Sequence, residues 1–445
     1  MDLQHIIDKV EQLLKGRSLD GYEIMAGGSR NLSIEAKDQK VDTFRCSAPV
    51  GVSVRLLRGK GLGFSYSTSM DEADLTRMID NALIGATAQT PDEFNGLPLP
   101  QTIPQLEDMY DEALKLVPEE EKIKRALDLE RLTLAADPRV KRARKSSYSE
   151  ADYSVAIRNS LGISSGYRGT SVSSSISVVA EENGDSQMGW DFGFSARFND
   201  VSVEEIAAAA AAKATSLLGA RSIPTMLCPA VLNNQVAGEI LEVLSSAFLA
   251  ENIQKGKSLL AGKLGERLFA SILKIRDDGT LKEGMATTPF DGEGVPSQDT
   301  VLVEEGVVQR FLYDSYCARK EGRSSTGNAA RAGIKGLPHM GVTNFFIENG
   351  STAAADLLTG IGRGVLLTDV IGMHTANPIS GDFSVGASGF LIENGKIAAP
   401  VKGIAIAGNI RELFGRVEAV GDDLRFYGAV GAPSLLIGAL DVSGS

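Results

Sequence analysis

Hydrophobic positions along the chain switch period several times, and each switch marks an element. In the opening stretch MDLQHIIDKVEQLLKG, Leu3, Ile6, Ile7, Val10, Leu13 and Leu14 recur at helical spacing. Gly16 is suited to end that helix, and His5 falls on its polar side as a solvated residue. From Tyr22 to Thr68 the period shortens to that of strands. LSIEAKDQKVDTFRC alternates about a polar turn at Lys37–Lys40. VGVSVRLLRGKGLGFSYST reads as two strands about Gly59–Gly61, with Arg58 and Lys60 at the tip. A second amphipathic helix follows, with Leu75, Met78, Ile79, Ala82 and Leu83 on one face and Asp71 and Glu72 at its start.

Residues 88–105 hold four prolines and predict a connector rather than core. Pro118, with Glu119 to Glu121 behind it, opens a helix to about Ala136. Residues 139–198 read as strands, among them the alternating SVSSSISVVAEE. Ser202 and Glu205 form a capping box ahead of the alanine run Ala207 to Ala212. The segment ARSIPTMLCPA is the best domain boundary. Beyond it the chain is richer in glycine and strands. Two of its segments echo each other, NFFIENGSTAAADLL and GFLIENGKIAAPVKG, and both Asn349–Gly350 and Asn394–Gly395 predict two-residue hairpin turns. The division expected is an α/β subdomain over 1–105, a central α/β subdomain over 106–222 and a β-rich domain over 223–445.

Length agrees with that division, since 445 residues are too many for one core. A net charge of −12 argues against nucleic acid as a direct partner, because phosphate binding needs surplus Lys and Arg. The one basic run, RVKRARKSS from Arg139, is flanked by acidic helices and reads as a solvated face or strand edge. Cys46, Cys228 and Cys317 form no framework, which fits a reducing compartment. The acidic N-terminal helix is not a signal peptide, and no apolar run reaches membrane-spanning length. A soluble cytoplasmic protein with no membrane partner is expected.

Candidate chemistry is restricted by the count of three histidines. Zinc hydrolysis ordinarily uses two or three imidazoles, a carboxylate base and an open coordination position. His5, His339 and His374 show no ligand spacing. His374 has the most site-like setting, a Gly-rich loop in DVIGMHTANPISGDFS with Asp369 and Asp382 nearby, so His374 and Asp382 are candidate binding residues. GISSG, with Ser164 central, matches a nucleophile-elbow pattern, but β-like sequence rather than a helix follows it. No P-loop appears, and RGKGLG lies in a hairpin rather than at a helix start.

The stretch NNQVAGEILE, from Asn233 to Glu242, resembles the metal helix of the TldD/PmbA family of zinc-protease-related proteins without its histidines. Other segments carry the same resemblance: GVSVRLLRGKGLGFSYST, FLYDSYCARKEGRSSTGNAAR, GDFSVGASGFLIENGKIAAPVKGIAIAGNIRELF and VGDDLRFYGAVGAPSLLI. The likeness spans nearly the whole chain and is nearer the PmbA (TldE) branch than TldD. It implies an α+β fold, with an N-terminal α/β region of curved sheet and long helices and a β-rich C-terminal domain. In TldD-type members that helix carries H-E-x-x-x-H and a downstream cysteine completes the zinc site. The matching positions here are Asn234, Gln235 and Glu239, and LRFYGAVGAPS holds no cysteine. The resemblance therefore implies no zinc on this chain, zinc on a TldD-like partner in a heterodimer, or self-pairing as a homodimer. It implies peptides or unfolded chains as substrates, and family roles in peptide maturation, proteolysis and modulation of DNA gyrase.

The chemistry of the residues agrees. Amides are weak zinc ligands, and Gln235 cannot act as a general base. Positions i and i+5 stand about 140° apart on a regular helix, so paired ligands there need a distortion, which Gly238 would permit. Val236, Ile240, Leu244 and Phe248 form the core stripe of a packing helix. Two further readings remain open: a self-sufficient homodimeric hydrolase using His374, Glu239 and acidic neighbours, and a peptide-binding module without proteolysis.

Overall fold

The computed structural model describes residues 2–444. The fold is α+β. Helix α1 (Leu3–Leu14) opens the chain with the expected stripe buried. Strands β1 (Gly21–Lys37), β2 (Lys40–Ser47), β3 (Val50–Arg58) and β4 (Gly61–Ser67) follow, then α2 (Glu72–Ala88). After the connector come α3 (Glu119–Ala136), three long strands β5 (Val140–Asn159), β6 (Ser164–Glu182) and β7 (Asp185–Ser195), and α4 (Val203–Ser216). All seven strands belong to one antiparallel sheet in the order β4-β3-β1-β5-β6-β7, with β2 paired to the second half of β1. The segments 1–105 and 106–222 thus share a sheet through the β1–β5 ladder, and the connector divides their helices.

Two turns of this sheet show why the alternation was legible. Asp38 and Gln39, and Gly59 and Lys60, take positive φ, the geometry that matches the twist of the flanking strands in a two-residue hairpin. Ser164 starts β6 rather than a helix, so no nucleophile elbow forms there. From Val140 on, the RVKRARKSS run is the start of β5, with Lys145 and Arg142 paired to Glu35 and Glu181, and Arg139 just before the strand paired to Asp137.

One face of the sheet carries all four helices. Ile24, Ala26, Val52 and Val54 lie under α1 and α2, while Leu32, Ile34, Tyr148 and Val178 lie under α3 and α4. The alanines of α4 let it approach the sheet closely: a Cβ on Gly189 of β7 would sit 2.3 Å from the Ala210 carbonyl. Ser202 caps α4 through the Glu205 amide, as the box predicts.

The C-terminal part packs on the opposite face. Its joint is a buried ionic chain. Arg55 of β3 donates to Glu23 of β1 at 2.5 Å and to Glu293 at 2.7 Å, and Arg331 donates to Glu23 at 2.6 Å. The prolyl connector is fastened here too. Arg319 donates to the carbonyls of Phe94 and Gly96, and Leu97 and Pro98 are buried, so the connector contributes to packing after all.

Strand β8 (Met226–Leu232) is central in the C-terminal sheet, parallel to Arg363–Ile371 and antiparallel to Leu435–Ser443. Pairing of Ala405 and Ile406 with Ser443 and Val442 closes this sheet on itself. Helix α5 (Asn234–Ser245) follows β8 directly and is packed between this sheet and a second one of short strands. The two Asn–Gly pairs diverge. Asn394 and Gly395 make the expected hairpin, with φ of 52° and 74° between paired Glu393 and Lys396. Asn349–Gly350 makes none. Gly350 is required because its backbone lies against Val420, whose carbonyl would be 2.1 Å from a Cβ, and Asn349 accepts from the Leu424 amide. Glycine there serves close approach, which has the same sequence signature as a turn. No helix among the described residues is long and apolar enough to cross a membrane.

Candidate functional site

The site forms where α5 leaves β8. Asn233 caps the helix, its side chain accepting from the Val236 amide at 2.9 Å. Val236, Ile240, Leu241 and Leu244 are fully buried, and Phe248 continues the stripe. That stripe fixes the rotation of α5 and leaves the first turn facing polar neighbours. The helix runs through Gly238 without a break, so the spacing of Asn234 and Glu239 is that of a regular helix.

Accordingly, the three positions do not converge. Asn234 donates to the carbonyl and carboxylate of Asp423 at 3.2 and 3.3 Å and accepts from the Tyr427 hydroxyl at 3.1 Å. Asp423 also accepts from the amide and hydroxyl of Ser434, which completes a closed hydrogen-bonded set. Gln235 is buried and turns the other way. Its amide nitrogen donates to Glu239 at 3.2 Å, and its oxygen accepts from Lys213 at 3.4 Å.

Lys213 comes from α4, in the central part of the chain. Its ammonium sits 5.3 Å over the Trp190 ring, 5.9 Å over Tyr427 and 3.9 Å from Asp191. Arg425 completes the group. It forks onto Asp191 and donates to the Phe192 carbonyl at 2.9 Å, with its guanidinium 5.0 Å from the Tyr427 ring centre. Burial pushes the Lys213 ammonium below its ordinary range, against the pull of Asp191, and Arg425 adds to the depression. Burial raises Glu239, with the Asp369 carboxylate adding to the rise, and burial also raises Asp369 while Lys213 opposes it. The Tyr427 hydroxyl is pushed up to about 12 by burial.

The donor set does not fit zinc. It offers neutral amides at Asn234 and Gln235, carboxylates at Glu239, Asp423 and Asp191 already engaged by Gln235, Ser434 and Arg425, and an ammonium, where a catalytic zinc takes free imidazole, thiolate or carboxylate. Among the described residues no group of three or more His, Cys, Asp or Glu is placed to hold a metal ion. A cation already tethered beside Gln235 also adds repulsion toward a divalent ion.

His374 and Asp382 take other places. His374 is exposed on a single helical turn, Met373–Thr375, that packs against α5, and its ring makes no hydrogen bond among the described residues. Asp382 is exposed at a strand start. It accepts from Asn409 at 2.9 Å and Ser380 at 2.7 Å, which hold its carboxyl below the usual range. It closes a loop and shares no partner with Asn234, Gln235 or Glu239. Sequence reasoning missed Lys213, Asp191 and Arg425. The available signals were a lone cation interrupting an alanine run, and the Arg-Phe-Tyr at 425–427 where the resembled cysteine is missing.

Three successive stretches match the descriptions of one family: PmbA/TldA metallopeptidase domain 1 over residues 22–86, its central domain over 112–218 and its C-terminal domain over 225–444. The chain belongs to the PmbA/TldD metallopeptidase family. It is similar to Metalloprotease PmbA of Escherichia coli O157:H7, with 28% identity over 99% of this chain and 96% of that one. An uncharacterised Methanocaldococcus jannaschii protein is 31% identical over 91% of this chain and 93% of its own. Among solved structures, a Thermotoga maritima protein named as a candidate modulator of a DNA gyrase superposes with a TM-score of 0.90. It has 28% identity and covers 99% of this chain and 100% of its own length. Within the PmbA/TldD frame, α5 and the segment 424–434 are the places where the resemblance puts the TldD-type zinc ligands, and they pack against each other here.

Proposed function

We propose that this chain is the non-catalytic, PmbA/TldE-like subunit of a TldD-type metallopeptidase that acts on peptides or unfolded chains. In this reading it works in the cytoplasm as half of a heterodimer. The partner supplies the H-E-x-x-x-H helix, the zinc and the general base, and this chain supplies shape and charge to a shared peptide groove. Peptide maturation is the role the resemblance attaches to such pairs. One observation carries the reading: Lys213 places an ammonium within hydrogen-bond reach of Gln235, the position that would have to be the general base. A tethered ammonium beside a buried amide neither activates water nor tolerates a divalent neighbour.

Reconstitution tests this. The chain is co-expressed with an H-E-x-x-x-H paralogue from the same genome, and hydrolysis of an unfolded protein is followed with each chain alone and together. Activity is expected only from the pair. It should survive substitution of Glu239 by Gln in this chain and vanish when the partner's motif is altered. Chelator-sensitive hydrolysis by this chain alone would overturn the proposal in favour of a self-sufficient hydrolase.

A further inference from the structure

The helix-covered face of the long sheet carries two cores, not one. Along β1 the even positions Ile24 and Ala26 lie under α1 and α2, and Leu32 and Ile34 lie under α3 and α4. Gly28 and Arg30 share that face but fall between the two helix pairs. Register places Arg30 opposite Asp152 of β5, and Ser154 opposite Arg168 of β6. The result is a cleft of about 570 Å³ floored by the strands, with Lys115 on its wall.

Its charge is unbalanced. Arg30, Lys115 and Arg168 line it, and Asp152 is the one carboxylate among the described lining residues. Asp152 holds the cations loosely, at 3.7 Å from Arg168 and 3.8 Å from Lys115, and the exposed Glu112 lies 3.7 Å from Lys115 outside the cleft lining. The Arg30 guanidinium is exposed and makes no hydrogen bond or ion pair among the described residues. Lys115 and Arg168 are held in place by the Tyr110 ring, at 5.1 and 4.1 Å from its centre. Surplus positive charge is therefore held ready in a chain whose net charge is −12. A second cavity of about 290 Å³ shares Arg30, Lys115 and Asp152, and it adds an apolar wall of Leu114, Leu116, Val117 and Pro118, with Glu119 and the Lys122–Glu150 ion pair at its edge. Leu116 is 82% exposed there, without a partner surface of its own.

We propose that this cleft binds an acidic peptide segment. A side-chain or terminal carboxylate would sit among Arg30, Lys115 and Arg168, and a neighbouring apolar side chain would fill the wall at Leu114–Pro118. A bare phosphate would use only the charged half. The cleft lies on the sheet face away from the C-terminal domain, so the proposal does not involve α5.

The test is fluorescence anisotropy of a labelled decapeptide rich in Asp, Glu and Leu, titrated with the full chain alone. Saturable binding is expected, weakened about tenfold by Arg30→Ala and further by Arg30→Glu, as loss of one charge-assisted contact predicts. Arg142→Glu makes the same charge change at an exposed site on β5 and should leave binding unaltered, which excludes net charge as the cause. Thermal melts of the Arg30 variants should match the parent, because that side chain has no partner to lose. No saturable binding, or parental affinity in both Arg30 variants, overturns the proposal. So does unchanged affinity after replacing Leu by Ser together with displacement by equimolar inorganic phosphate, which would mark a plain anion site. Because the chain is tested alone, failure here leaves the subunit reading untouched.

Discussion

Two polar clusters sit inside this molecule, and they are built on opposite terms. At the joint between the long sheet and the C-terminal part, Arg55, Arg331, Glu23 and Glu293 are all nearly solvent-free and meet at 2.5 to 2.7 Å. At the start of α5 the contacts of Lys213 run from 3.4 to 3.9 Å, and its side chain is 32% exposed. The first cluster leaves no slack, and removing one member strands a buried charge. In the second, Lys213 can be changed without that penalty, whereas Asp191 is nearly solvent-free and held by Arg425. Proximity of ions alone therefore does not mark a functional site. In this chain the tight set is a structural joint, and the loose one occupies the place of the family's chemistry.

The comparison is broken most sharply at the joint. Arg55→Ala should destabilise the fold by about 3–5 kcal/mol, because Glu293 loses its buried counter-charge and Glu23 keeps only Arg331. Denaturant unfolding would read that loss, and a cost below about 1 kcal/mol would remove the distinction between the clusters.

A smaller effect should appear with pH. Burial raises Asp277 to about 6, and burial with the neighbouring Glu293 raises Asp291 as well. Both groups bind protons more tightly folded than unfolded. Their contribution is present in full below the unfolded carboxylate range, and it is lost as pH rises, through about 6 for Asp277. Stability should fall by on the order of 1 kcal/mol from pH 5 to pH 8 through Asp277, with Asp291 adding in the same direction. Thermal melts across that range would show it, and a rise in midpoint over the same window would contradict it.

At α5 the expected costs are lower. Asn233→Ala removes the cap and should cost about 1 kcal/mol. Lys213→Met keeps the aliphatic packing on Trp190 and Tyr427, and should change stability by less than about 1 kcal/mol. Unfolding curves of the two variants beside Arg55→Ala give the order directly.

Much of the N-terminal half was legible because its ladders are local. Alternation, polar tips and proline breaks fixed β1 to β7 and α1 to α4, since each strand pairs with a neighbour through a turn whose residues need positive φ. The C-terminal part was less legible for the opposite reason. Strand β8 pairs with partners more than a hundred residues away, and Gly350 is kept for a backbone contact that no local pattern announces. The site divides the same way. Asn234, Gln235 and Glu239 were readable only through the family resemblance carried by NNQVAGEILE. Lys213, Asp191 and Arg425 reach it from other elements, and only the fold brings their charges to Gln235. His374 and Asp382 looked site-like because loops rich in Gly and Asp resemble binding loops, whereas Asp382 is spent on Asn409 and Ser380.

The central claim is that the first turn of α5, with its amides and its tethered ammonium, cannot hold a catalytic metal. Elemental analysis of this chain, purified alone and dialysed against zinc without chelator, tests it most directly. The account predicts well under one zinc per chain, and no gain when Lys213→Ala is analysed beside the parent, since amides remain. One tightly held zinc per chain, lost on substituting Glu239, would contradict it.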